Sequence, residues 1–259
     1  MNQNSFIKVS IDGTVAVITI HRPPVNAFNN QLKFELANTL AEIELRSDIC
    51  CAVLRAEGDG FTAGNDLAEL HSTDSTAARE SANAVTEAIF SFKIPLIAAV
   101  HGYVAGLGVA FLSGSDIIVA AENTKVMVPE IHAGTLASPF FLQSLIPERI
   151  ANYYLFTGEP IPVSVLDQYG ATLQVVPKEG LDDAALAIAH RIAKSYPRSL
   201  RLYKEIIAEG KNMKQDIVTR SKMARLRASA LEGDPNREEI LRARAEKRPP
   251  IFRMNETEL

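Results

Sequence analysis

Two glycine-bearing segments and one glutamate hold the residues best suited to chemistry in this chain. They are Phe61-Thr62-Ala63-Gly64-Asn65-Asp66-Leu67, then His101-Gly102-Tyr103-Val104-Ala105-Gly106-Leu107-Gly108, then Pro129-Glu130. At Ala63-Gly64 a small residue and a glycine let the backbone approach a ligand closely, and Leu67 to Leu70 can open a helical turn. The second segment follows the apolar run Ile97 to Val100 and leads into Val109 to Leu112, which reads as strand, loop and helix start. Free N–H groups at a helix start stabilise an anion. Two such donors aimed at a carbonyl oxygen ease formation of an enolate, and a lost donor of this kind costs ~10²–10³ in rate. Glu130 lies between apolar Val128 and Ile131 on an expected strand-ending segment, where desolvation would raise its pKa and suit it to proton transfer. A surface glutamate in a loop is the alternative.

These groups need a scaffold. Phe6 to Ser10 and Thr14 to Ile20 read as β-strands joined through Asp12-Gly13, a hairpin. Asn29 or Asn30 caps a helix whose Leu32, Leu36, Leu40 and Ile43 share one face. Cys51 to Leu54, Leu96 to Val100, Asp116 to Ala120 and Lys125 to Val128 are further strands, with helices expected over Ala77 to Phe92 and Val104 to Ser113. Strands recurring between helices point to an α/β core covered on both sides. Past Leu181 only helical stripes remain: Leu181, Ala185, Ala189 and Ile192; Tyr203, Ile206 and Ile207; Ile217 and Leu226. We therefore expect a core over 1–195 and an all-helical appendage over 196–259.

The order of the two segments, with Arg22-Pro23 after the hairpin and Pro129-Glu130 beyond, resembles the crotonase family, also called the enoyl-CoA hydratase/isomerase superfamily. The likeness runs from about Ile7 to Phe252 and rests on Phe-x-Ala-Gly-x-Asp-Leu and Ile-Ala-Ala-Val-x-Gly-Tyr-x-x-Gly-x-Gly. It implies a spiral of ββα units with a C-terminal helical region that packs in a homotrimer or dimer of trimers, and an acyl-CoA thioester as ligand, with coenzyme A arriving as part of the substrate. On this resemblance the Asn65 and Leu107 amides bind the thioester oxygen and Glu130 is the principal acid/base. Ala63, Gly64, Asp66, Leu67 and Gly106 line the substrate, Asp66 as a loop-stabilising carboxylate. Lys247 would lie near the CoA phosphates and Arg22 near the pantetheine and diphosphate. Leu107 stands where glycine is more usual, which is permissible because only backbone is required. Family hydratases carry a second glutamate where this chain has Ala110. A single carboxylate fits an enoyl-CoA double-bond isomerase; a hydratase, or a non-catalytic acyl-CoA-binding scaffold, is the alternative.

Among the histidines, His132 would share a strand face with Glu130 and could tune it, while His101 and Tyr103 would fix their loop by hydrogen bonding. No metal site is expected, since the His residues lack ligand spacing and the two cysteines, Cys50 and Cys51, are adjacent. Ser138-Pro139-Phe140-Phe141 suggests either a reshaped acyl pocket or a helix packing face.

With 259 residues and 47% hydrophobic content the chain can bury a full core. The formal net charge of -4 gives no reason to expect nucleic acid, and no apolar run approaches the length of a membrane span, so a cytoplasmic protein is expected. Residues 197–253 hold 15 Lys/Arg against 8 Asp/Glu, an excess that reads either as a solvated helical face or as a phosphate-receiving rim.

Overall fold

The computed structural model describes residues 5–70, 75–133, 137–212 and 234–251. Six strands form the main sheet: β1 (Ile7–Asp12), β2 (Val15–Ile20), β3 (Cys51–Ala56), β4 (Leu96–Val100), β6 (Ile117–Ala121) and β9 (Gln174–Val176), in the order β1-β2-β3-β4-β6-β9. Only β1 and β2 are antiparallel, and the turn between them is Gly13-Thr14, with Asp12 still paired to Val15. The expected Asp12-Gly13 turn is thus displaced by one residue: Gly13 alone takes a positive φ of 60°, while Asp12 stays in the ladder. A second sheet has the order β5 (Tyr103–Ala105), β7 (Lys125–Met127), β8 (Ile161–Pro162).

The inner strands are apolar at nearly every position because both faces of the main sheet are covered. Ile18 and Ile20 of β2, Leu54 of β3, Leu96 and Ala98 of β4 and Ile118 of β6 meet α1 (Asn30–Glu44), α3 (Ser75–Ser91) and α4 (Leu107–Gly114) on one face. The alternate residues Val17, Val53, Ile97, Ala99 and Val119 pack against Leu181, Ala185, Ile188 and Ala189 of α8 (Leu181–Ile192) on the other. The period of two along each strand thus sorts the side chains between two cores.

Asn29 caps α1: its side chain accepts from the Leu32 N–H at 2.9 Å, and the Leu32, Leu36, Leu40, Ile43 stripe is buried as the spacing requires. Asn29→Ala is expected to cost about 1 kcal/mol of stability. The check is the urea midpoint at unchanged slope; a midpoint identical to the parent's would show that Asn29 contributes nothing as a cap.

The sequence expectation of one helix from Val104 to Ser113 needs correction. Tyr103–Ala105 pairs as a strand with β7, and α4 begins only at Leu107. Among the described residues, several basic side chains of the C-terminal region are held by hydrogen bonds or ion pairs within the molecule. In α9 (Pro197–Asn212), Lys204 donates to the Asp116 carboxylate at 2.8 Å and Arg201 donates to the Glu44 and Arg46 carbonyls. Arg198 pairs with the buried Asp234, just ahead of the last described helix, Pro235–Ala245. The Ile217 and Leu226 stripe lies outside the described residues. Among those residues no helix is long and apolar enough to cross a membrane.

Candidate active site

Main-chain hydrogen bonds bring the two glycine-bearing segments side by side. The Thr62 N–H donates to the Tyr103 carbonyl at 3.1 Å, and the Ala105 N–H donates to the Thr62 carbonyl at 2.9 Å. Phe28 clamps the first segment from its other edge: its N–H donates to the Gly64 carbonyl at 2.7 Å and its carbonyl accepts from Asp66 at 3.0 Å. The Thr62 hydroxyl, wholly buried, donates to the Asn26 carbonyl and accepts from the Gly64 N–H.

Gly64 has a φ of 89°, and a β-carbon there would lie 3.0 Å from the Ala105 carbonyl oxygen and 3.6 Å from the Gly106 α-carbon. The turns therefore touch at their glycines. Immediately after these glycines come Asn65 and Leu107. Among the described residues neither of their amide N–H groups donates to a protein acceptor, Leu107 because it is the first residue of α4.

The same strand pairing delivers the carboxylate. Ala105 is in register with Met127, and the Gly106 N–H donates to the Met127 carbonyl at 3.0 Å. Beyond Met127 the chain turns through a single 3-10 turn, Pro129–Ala133, and folds Glu130 back over Gly106. A β-carbon on Gly106 would lie only 2.7 Å from Glu130 Oε1. Glu130 Oε2 is buried without a hydrogen-bond partner, and so is Asn65 Oδ1. Burial pushes the Glu130 carboxyl above its ordinary value, because no fixed positive charge offsets the lost hydration.

Glu130 is thus on a 3-10 turn and not on the expected strand end. Proline supplies the first-turn φ of a helix as readily as it ends a strand. The correction removes the argument for His132, which shares no strand face with Glu130; the His132 ring lies against Gly158. His101 does fix its loop, through Nε2 to the Gly58 carbonyl at 2.9 Å.

Asp66 accepts from the Ala68 N–H at 3.0 Å and pairs with Arg22 at 2.7 Å, and Arg22 also donates to the Ala27 carbonyl. The guanidinium expected near the diphosphate is therefore already bound to the loop. Ala63 is exposed beside Gly64, and Leu67 opens the short helix α2 (Leu67–Leu70) as its sequence suggested. Lys247 is exposed, with a φ of 55°, and no hydrogen bond or ion pair among the described residues joins it to either turn. Of the two phenylalanines after Pro139, Phe140 is 74% exposed, whereas Phe141 packs inward and meets Phe90 at 5.6 Å between ring centroids. The pair is therefore split between surface and packing face on α5 (Pro139–Gln143).

One residue near the site is invisible to hydropathy. In α1, Lys33 is 1% exposed while its neighbour Phe34 is 43% exposed, the reverse of what their side chains favour in isolation. A helical wheel centred on Leu32, Leu36 and Asn29 places position 33 inward, and that phase was the one available signal.

The profile of the family described as enoyl-CoA hydratase/isomerase matches residues 10–255, and the chain belongs to that family. It is an acyl-CoA-processing protein of the crotonase type. A similar curated relative is the "(7aS)-7a-methyl-1,5-dioxo-2,3,5,6,7,7a-hexahydro-1H-indene-carboxyl-CoA hydrolase" of Mycobacterium tuberculosis. It is 34% identical over 197 residues, covering 74% of this chain and 80% of the relative. The 2,3-dehydroadipyl-CoA hydratase of Escherichia coli is 29% identical over 252 residues, covering 95% and 97%. Among solved structures, an enoyl-CoA hydratase of Bacillus anthracis superposes with a TM-score of 0.89 at 27% identity, covering 97% of this chain and 100% of that one.

Proposed function

We propose that the chain stabilises the enolate of an acyl-CoA thioester and, with Glu130 as its one acid/base, moves a double bond within an enoyl-CoA. The observation that carries this reading is a half-buried carboxylate held over the Gly106 turn, its Oε2 without a hydrogen-bond partner, beside two amides that have no protein acceptor among the described residues. In a 3-enoyl-CoA, Glu130 takes a proton from C2, and the electron pair moves into the carbonyl, whose oxygen is held by the Asn65 and Leu107 amides. Return of the same proton to C4 leaves the double bond between C2 and C3, conjugated with the thioester. No atom is gained or lost. Ala110, fully buried in α4, stands where a second carboxylate would activate water, and this supports the proton shuttle.

Incubating 3-enoyl-CoA and 2-enoyl-CoA separately with the protein tests the assignment. Conjugation of the first is expected, without incorporation of solvent oxygen. Rapid hydration of the second with no isomerisation of the first would overturn it.

A specific observation also favours a second reading, that of a hydratase. Among the described residues Asn65 Oδ1 and Glu130 Oε2 are both buried and both lack a donor, and unmet buried acceptors of this kind are ones that bound water satisfies. The hydratase and hydrolase names of the relatives support water chemistry equally well. Either reading carries a homotrimer or dimer of trimers, for which Tyr203 and Ile207 on α9, 66% and 52% exposed, are apolar surface to be covered.

A further inference from the structure

Lys33 is the group in this molecule whose chemistry the reaction above leaves unused. Its side chain is essentially excluded from solvent, yet among the described residues its ammonium has neither a hydrogen-bond acceptor nor an ion-pair partner within 4.0 Å. Desolvation disfavours an ammonium, a cost that a leucine at the same place would not incur. The two nearest acids do not relieve it. Lys33 feels the charges of Glu69 and Asp66, but desolvation outweighs both and draws its pKa below the ordinary lysine value. Asp66 is engaged by Arg22 and the Ala68 amide, and Glu69 accepts from the Asn30 N–H at 2.7 Å.

The position of Lys33 is set by contacts on its own helix face. Asn30, one turn earlier, meets α2 through Glu69 and α3 through the Ser81 hydroxyl at 2.7 Å. Lys33 therefore looks into the wedge between α1, α2 and α3. Asp66, whose charge Lys33 feels, is the residue next to Asn65, whose amide carries the reading of a thioester-oxygen donor. Ser81 is wholly buried in the same wedge. Lys33 lies close enough to Asp66 and Glu69 to feel both charges, and an acyl chain directed past Asp66 would approach its ammonium.

We propose that Lys33 reads a second oxygen function on the acyl group, a ketone or a carboxylate, and so selects oxygenated acyl-CoA substrates. The inference rests on the acyl-CoA reading above and adds to it the class of acyl group. Three N–H donors on a flexible stem suit either oxygen without fixed geometry. A hydrogen bond to a charged donor in a dry pocket discriminates strongly against an analogue lacking the acceptor.

The test is calorimetric binding of three unreactive six-carbon thioesters, hexanoyl-CoA, 5-oxohexanoyl-CoA and adipyl-CoA, to the parent protein and to Lys33→Met. The parent is expected to prefer one or both oxygenated ligands over hexanoyl-CoA, and which of the two it prefers identifies the oxygen. In Lys33→Met that preference should fall by about 10- to 100-fold. An unchanged preference, or equal loss for all three ligands, would refute the role of Lys33 while leaving acyl-CoA binding intact. Failure of the parent to bind any of the three would remove the acyl-CoA reading itself. Melting curves accompany the titrations, and Lys33→Met is expected to melt no lower than the parent because a desolvated charge has been removed. If it does not fold, Lys33→Gln supplies the same comparison with a neutral donor retained, and an undiminished preference there would count against the need for charge.

Discussion

Glu130→Gln is expected to lower kcat about 10³-fold and to abolish solvent-deuterium exchange at the thioester α-carbon, while acyl-CoA binding changes little. Glutamine keeps the shape that fills the space over Gly106 but cannot accept the proton. Exchange that persists in the variant would show that another group is the base. The parent's rate should rise with pH through a midpoint above that of an ordinary glutamate, since burial holds the carboxyl protonated to higher pH.

The same shift fixes a stability prediction. Because the folded-state pKa is raised, the stability linked to this carboxyl is complete below the unfolded value and is lost as pH rises through the folded value. Glu130→Gln should therefore melt higher than the parent at neutral pH and match it under acid conditions. A variant less stable than the parent at neutral pH would show that the carboxylate is paired in solution, contrary to its environment here.

Gly106→Ala is expected to lose about 10² in kcat/KM, through a different cause. The residue has φ 51° and ψ -110°, a combination that disfavours any side chain and costs about 1–3 kcal/mol when one is forced upon it. The added methyl would also sit 2.7 Å from Glu130 Oε1, so either the carboxylate or the turn must move. A displacement near 1 Å at a reacting group is enough for a loss of this size. The kinetic signature should be a fall in kcat larger than any rise in KM. A variant with parental kcat would mean that Glu130 reaches its working position by another route.

Much of this site could be read from residue types because its chemistry is local. Ala63-Gly64 and Gly106 mark close backbone approach, and Asn29 with the Leu32 to Ile43 stripe places α1 against the sheet. The inner strands β2, β3, β4 and β6 were legible because they are apolar at nearly every step, whereas the three-residue β9 was not read. What escaped depends on tertiary contact. Tyr103–Ala105 is a strand only because Lys125–Met127 lies beside it, and a three-residue segment has no period of its own. Pro129 is compatible with a strand end and with a helix start, and the pairing of β7 decides between them. Lys33 escaped because an exposed lysine is the ordinary expectation, and only the packing of α1 against α2 and α3 turns it inward.

Amide-to-carbonyl bonds clasp the two turns together, Thr62 to Tyr103 and Ala105 to Thr62, and another, Gly106 to Met127, ties the second turn to β7. The consequence is evolutionary. None of these bonds depends on which side chain a residue carries, so a lineage can exchange the side chains around the turns one at a time without dismantling the main-chain frame.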